Sequence, residues 1–306
     1  MGISTTQQLN RFYDLYQKAE VVFTKELTAT IRLVPKQIYI RCKGSDWPCI
    51  INSTSFLGAK VIIGAKSSIF GQLQKAGNSV SLRFCFQRPD SSDLTTFYVS
   101  GKVTGMGPFA NSPDLMLLSI TYSQRPPDDM IDILGNLLDA NVNSARRREE
   151  RIILTPDNMR RLGLMKKETL IFIQGVPRKC ILRDISFSGA KVIMVGVAAF
   201  LKNKEVTVRV DFDDPREILG LKGTIVRTED VEGRKDLVAV AIMYADNGVP
   251  MPYKMHINKY LTQYSKKQLE IDSEKNKEET KENTQEKGKE NLQPVAAAKQ
   301  NPGSDS

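Results

Sequence analysis

Two short groups of residues in this chain are equipped for recognition chemistry. The first is an arginine run, Arg146-Arg147-Arg148-Glu149-Glu150-Arg151, in which residues 147 and 151 stand at i and i+4. The second, some thirty residues on, is Asp184-x-Ser186-x-x-Gly189. A guanidinium fork matches two adjacent acceptors with two parallel hydrogen bonds, and further arginines suit phosphate oxygens. A carboxylate and a hydroxyl add polar contacts, and a glycine leaves backbone without a Cβ for a turn or a close ligand approach. Each group also has a structural reading. An arginine run with interspersed glutamates is commonly a solvated helix end, and Asp-Ile-Ser followed by glycine serves equally well as a turn.

A near-repeat weighs the two readings. Residues 180–192 read CILRDISFSGAKV and residues 49–61 read CIINSTSFLGAKV, at an offset of 131 positions. At that offset Tyr16 and Glu20 stand where the second copy has Arg147 and Arg151, and Ser53 stands for Asp184, whereas Ser55 and Gly58 are retained. One copy carries the guanidinium and carboxylate groups and the other lacks them. The residues common to both, including Phe187 and Gly189, are therefore partly structural.

The elements that must position these groups are mostly strands. In the first half, TATIRLV (28–34), QIYIRC (37–42), CII (49–51), AKVII (59–63), VSLRFCF (80–86), FYVSGKV (97–103) and LMLLSITY (115–122) read as strands. Turn residues such as Gly44-Ser45-Asp46 and Pro89-Asp90 separate them. The second half repeats the rhythm over 169–175, 178–185, 190–195, 205–212, 221–230 and 236–244. Two later segments also correspond, at smaller offsets of 126 and 122, which predicts longer loops in the first copy. Phe12, Leu15, Tyr16 and Ala19 suggest an opening helix within 10–24, and Met130, Ile133, Leu134, Leu137 and Leu138 mark a connecting helix that begins after Pro127 and reaches about Asn141. A short helix near 156–162 and a closing helix through Met255, Leu261 and Tyr264 complete the reading. Short, regularly spaced strands argue for antiparallel barrels or sandwiches.

The pair of motifs, Arg147-x-x-x-Arg151 and Asp184-x-Ser186-x-x-Gly189, resembles the signature of PilZ domains. These are six-stranded β-barrel receptors for the bacterial second messenger cyclic di-GMP. The resemblance covers about 120 residues up to Tyr264, and the doubled arginine Arg146-Arg147 matches the front of the motif. A degenerate PilZ-like domain ahead of a complete one is similar to the two-domain receptors of spirochaetes. The implied fold is mainly β: two tandem antiparallel six-stranded barrels (1–128 and 146–264), a linker helix (129–145), short accessory helices and a disordered tail (265–306). The implied contacts are Arg147 and Arg151 on a guanine edge and a phosphate, with Arg146 or Arg148 adding phosphate contact or stacking. Asp184 would accept from guanine N1–H and N2–H₂, with Ser186 and Gly189 beside it. The resemblance further implies a non-catalytic effector in which the ligand orders the linker, changes interdomain orientation and signals to an unknown downstream protein.

Composition bounds the alternatives. The 306 residues carry a net charge of +9. The tail has eight lysines against nine acidic residues and little apolar content, so the remainder carries about +10. A positive excess favours an anionic partner. With eight Lys/Arg against three Asp/Glu between 146 and 167, the competing reading is a nucleic-acid-binding protein, gated or not by the nucleotide. Few strand aromatics are free for stacking, which weakens it. Cys42, Cys49, Cys85 and Cys180 lack paired metal-ligand spacing, and His256 is the single histidine, with no acidic partner nearby in sequence. No phosphate-binding glycine loop or acidic metal cluster is evident, so no enzyme, cofactor or metal is expected. No segment has the length of a membrane span or the form of a secretory signal, which points to a cytoplasmic protein, with a monomer binding one nucleotide as the default.

Overall fold

The computed structural model describes residues 4–88, 92–110 and 112–264. The expected tail and the Pro89-Asp90 turn lie outside them. Both repeats belong to one compact unit that runs to Lys259.

Thr5 opens α1 (Thr6–Tyr16) by accepting from the Gln8 N–H. The helix turns Leu9 and Phe12 inward and leaves Leu15 60% exposed, so its buried face lies one turn earlier than the sequence pattern suggests. β1 (Val21–Val22) and α2 (Lys25–Thr30) follow. The stretch 28–34 is not the expected strand. Thr24 accepts from the Leu27 N–H and Glu26 sits in the first turn, and this cap overrides the β-branched composition of TATIRLV. β2 (Tyr39–Cys42), β3 (Ser45–Pro48), β4 (Ile50–Thr54), β5 (Gly58–Gly64), α3 (Ile69–Lys75), β6 (Ser79–Gln87), β7 (Leu94–Phe109) and β8 (Ser112–Tyr122) complete the first half. Ser45 and Asp46, expected in a turn, begin β3; the turn itself is Lys43-Gly44, both at positive φ. The sheet order is β1-β4-β5-β8-β7-β6-β2-β3. Val80, Leu82, Phe84 and Phe86 of β6 point into one core, as their alternation requires.

α4 (Asp128–Arg146) runs five residues beyond the expected Asn141 and so carries the first arginine of the motif. Asp128 and Asp129 sit in its first turn and Arg146 in its last, the charge order that the helix dipole favours. Gly135 lets α1 approach closely: a Cβ there would meet Phe12 at 2.4 Å. One turn further along α4, Asp139 is 2% exposed and collects four donors. They are Tyr16 Oη (2.9 Å), Asn143 Nδ2 (3.0 Å), Asn258 Nδ2 (3.1 Å) and Arg11 Nη2 (3.2 Å). Asn143 also donates to Asn258 Oδ1 at 2.8 Å.

The second half comprises β9 (Ile152–Ile153), α5 (Pro156–Leu162), β10 (Glu168–Ile173), β11 (Val176–Ile185), β12 (Gly189–Val195), β13 (Glu205–Asp213), β14 (Arg216–Val231) and β15 (Arg234–Tyr244), then α6 (251–264). The order is β10-β13-β14-β15-β12-β11-β9, and β10 also pairs with β11. Six strands, β10 to β15, thus close into a barrel.

The repeat is reproduced strand by strand. β9, β11 and β12 lie 131 positions after 21–22, 45–54 and 58–64; β13 lies 126 after β6; β14 and β15 lie 122 after β7 and β8. Bulges recur as well, between Ile51 and Ser53 and between Leu182 and Asp184. One difference concerns closure: β11 is continuous, whereas its counterpart breaks at Cys49 into β3 and β4.

All four cysteines are free and buried. Burial pushes the Cys49 and Cys180 thiols up to about 12. A maleimide near neutral pH is expected to leave both unlabelled in the folded chain and to label them once denaturant is added. Mass spectrometry checks this: rapid native labelling of Cys180 would contradict the buried thiol.

Candidate functional site

β9 is only two residues long, yet it sets the geometry. Its register, Ile153 opposite Asp184 and Ile152 opposite Ile185, brings the residue just before it to the end of β11. Arg151 Nη1 accordingly reaches Asp184 Oδ1 at 2.5 Å. The bulge at Arg183 is what turns Asp184 toward this edge. Arg147, the C-cap of α4, makes a bidentate pair with Glu150, with Nε–Oε2 2.6 Å and Nη2–Oε1 2.8 Å. Arg148 reaches Asp246 at 2.8 Å, just past β15. Arg146 closes α4 one residue earlier.

The remaining two motif residues serve the turn between β11 and β12. Ser186 is fully buried, and its hydroxyl meets the backbone of the turn. It accepts from the Gly189 N–H at 3.1 Å and the Ser188 N–H at 3.3 Å. Tyr253 on α6 donates to the Ser186 carbonyl at 2.9 Å and braces the same turn. Gly189 is required sterically: a Cβ there would lie 2.2 Å from the Ile242 carbonyl oxygen on β15. Gly58, its counterpart, faces the Ile120 oxygen at 2.4 Å in the same way.

The first copy shows the same scaffold with opposite chemistry. β1 pairs with β4 in the matching register, Val21 opposite Thr54 and Val22 opposite Ser53, which delivers Glu20 to the position of Arg151. The Glu20 carboxylate accepts from the Ser53 hydroxyl and pairs with Lys60 at 2.9 Å. Those contacts, Lys60 first and Ser53 second, hold its carboxyl below the usual range. Tyr16, in the place of Arg147, turns to Asp139; burial first, and that carboxylate second, push its phenol up to about 12. The first-copy edge is thus occupied by its own ion pair. Because the folded Glu20 carboxyl is depressed, its stabilising contribution is present above the unfolded pKa and is lost as pH falls through the folded one. Glu20→Gln is expected to flatten the acid limb of a stability–pH curve by at most about 1 kcal/mol, since the pair is exposed. An unchanged acid limb in urea titrations would argue against the pair.

Several partners in this site carry no sequence signal at long range. Asp246 lies 98 positions from Arg148. His256 likewise finds an acid far away in sequence: it is buried, stacks on Phe212 at 3.8 Å and stands 3.5 Å from Glu217 Oε2, where it serves the core. Among the described residues, no group of three or more His, Cys, Asp or Glu side chains is placed to hold a metal ion, and no helix is long and apolar enough to cross a membrane.

Comparison with known proteins follows the same division. A PilZN3 domain model matches residues 7–141, and a PilZ domain model matches residues 145–263. A Treponema denticola relative named as a cyclic di-GMP binding protein is 48% identical over 267 residues, covering 87% of this chain and 85% of the relative. Among solved structures, the Borreliella burgdorferi PlzA protein in complex with c-di-GMP is 21% identical, covers 83% of this chain and 98% of its own, and has a TM-score of 0.38. YcgR from Escherichia coli in complex with c-di-GMP is 9% identical, covers 87% and 93%, and has a TM-score of 0.28.

Proposed function

The chain belongs to the PilZ-domain proteins, with a PilZN3 domain ahead of a PilZ domain, and from that premise we propose that it is a non-catalytic receptor for cyclic di-GMP. The observation that carries this reading is the delivery of Arg151 to Asp184 by β9, set against Glu20 and Ser53 at the same edge of the first copy. An arginine and a carboxylate at one strand end can take the two edges of guanine, while neighbouring arginines take phosphate. In this reading Asp184 accepts from guanine N1–H and N2–H₂, and Arg147 and Arg151 donate to O6, N7 and a phosphate. Arg146 and Arg148 add phosphate contact or stack on a base. Ser186 and Gly189 hold the turn that presents Asp184.

Acidic side chains engage three of the arginines: Arg147 pairs with Glu150, Arg148 with Asp246 and Arg151 with Asp184. A nucleotide phosphate must displace Glu150 and Asp246 from Arg147 and Arg148, so these two carboxylates act as internal competitors, whereas Asp184 stays in place as an acceptor. Glu150→Gln and Asp246→Asn are each expected to tighten nucleotide binding about 2–5-fold, the scale of an exposed ion pair. Weaker binding in both would show that these acids support the site rather than compete for it.

Because Arg147 caps α4, clasping the nucleotide fixes the end of that helix relative to β11. The two domains then favour one arrangement, and a downstream partner reads it. Isothermal titration with cyclic di-GMP, GTP and cyclic di-AMP is the direct test. Saturable binding of cyclic di-GMP alone, with the nucleotide recovered intact by mass spectrometry, is expected. Absence of heat with cyclic di-GMP, or turnover products, would overturn the proposal.

A further inference from the structure

The far end of the second barrel is closed by a shorter segment than the first, and that segment leaves apolar side chains exposed. Between β5 and β6 the first copy has residues 65–78; between β12 and β13 the second has only 196–204. The difference is α3. In the first copy α3 buries Ile69 completely and leaves Leu73 1% exposed, and both join the domain core. Trp47 Nε1 donates to Ser68 Oγ at 3.1 Å and pins the start of the segment to β3. In the second copy the shorter segment forms only a 3-10 turn, Ala198–Phe200. Phe200 is 76% exposed, Val195 65%, Val197 60% and Val176 55%.

These four residues share one end of the barrel. Cys180 pairs with Met194, which places the end of β12 beside the middle of β11, and Val176 pairs with Ile173 at the same end of the barrel. The Gln174 N–H donates to the Glu205 carbonyl, which ties the β10–β11 turn to the start of β13. Asp184 stands at the opposite end of β11, roughly 26 Å away at the rise of an extended strand. Lys202 and Lys204 flank the apolar residues, and among the described residues neither belongs to an ion pair.

We propose that this end of the second barrel is a docking surface for an amphipathic helix of a partner protein. The first copy supplies the template: aliphatic side chains at i and i+4 close such a barrel end, as Ile69 and Leu73 do. The two lysines specify acidic residues on the flank of the incoming helix. The surface lies outside the nucleotide site, so this inference stands whether or not cyclic di-GMP binds.

The probe is a fluorescein-labelled, helix-stapled peptide of residues 65–78 with Lys66 and Lys75 replaced by glutamate, titrated with the full chain by fluorescence anisotropy. Saturable binding is expected. It should weaken about tenfold to a hundredfold in Phe200→Ser, the range for losing a buried aromatic side chain. Val197→Ser and Lys202→Glu should each weaken it several-fold, and the lysine-bearing parent peptide should bind less tightly than the acidic one. These positions are exposed, so thermal midpoints should not move; if Phe200→Ser unfolds the chain, Val197→Ser and Lys202→Glu still decide. No saturation at millimolar peptide, or equal affinity in all variants, would overturn the proposal. So would sedimentation showing a dimer that Phe200→Ser dissociates, because the surface would then be a contact between copies.

Discussion

Asp184→Ala and Arg147→Ala are each expected to weaken cyclic di-GMP binding about 5–150-fold in isothermal titration, the loss of roughly 1–3 kcal/mol for one base-edge contact. The two variants fail for different reasons. Asp184 is held at the end of β11 by the bulge and by β9, with its side chain 16% exposed, so its removal takes away a fixed acceptor and leaves the barrel intact. Arg147 comes from the end of α4, and its removal also releases Glu150. Arg151→Ala joins the pair in a double-mutant cycle with Asp184→Ala. Because the two side chains are in direct contact, their effects should not add. Parental affinity in both Asp184→Ala and Arg147→Ala would remove the site from this edge of the barrel.

Gly189→Val is expected to cost at least about 3 kcal/mol of unfolding free energy, because backbone rather than a yielding side chain stands in the way. The Ile242 carbonyl, 2.2 Å from where the Cβ would sit, belongs to β15, and β12 pairs with that strand along its length. Moving it means breaking ladder hydrogen bonds across the barrel. Gly58→Val meets the Ile120 carbonyl and should destabilise the first domain similarly. Urea unfolding measures both, and Gly189→Val with parental stability would show that the strands can part there. Ser186→Ala belongs to the same class: loss of an acceptor for two backbone N–H groups should cost about 1–3 kcal/mol. Its effect on affinity should follow from the turn alone.

The strand framework was legible because the chain contains it twice. Offsets of 131, 126 and 122 identify corresponding strands without any structure, and the places where the offset falls mark α3 and the loop between β6 and β7. Periodicity found α4 but ended it early, since Val142, Asn143, Ser144 and Ala145 add little to an apolar stripe. α2 was hidden because Thr28, Thr30 and Ile31 favour strands, while the deciding contact is a single cap from Thr24. β1 and β9 are two residues each, too short for any alternation, although they position Glu20 and Arg151. The arginines and Asp184 were legible as chemistry. Their resting partners were mixed: Glu150 is a neighbour in the run, whereas Asp246 depends on tertiary contact. The burial of Ser186 depends on Tyr253 and the closed barrel, neither of which a local motif contains.

The carboxylate of Asp139 bears on how this molecule can be taken apart. The two family matches meet between residues 141 and 145, the natural place to cut. A cut there separates Asp139 from Asn258, and from Asn143 as well if it falls before that residue, and passes through the continuous helix α4. The first fragment would keep Tyr16 and Arg11 on Asp139 but lose Asn258, and the cut would open to water a polar cluster that the intact chain covers, next to the helix end that bears Arg146 and Arg147. Affinities measured on a dissected second domain are therefore those of a different molecule. Fragment and whole should be compared only with Asp139→Asn of the full chain as the bridge between them.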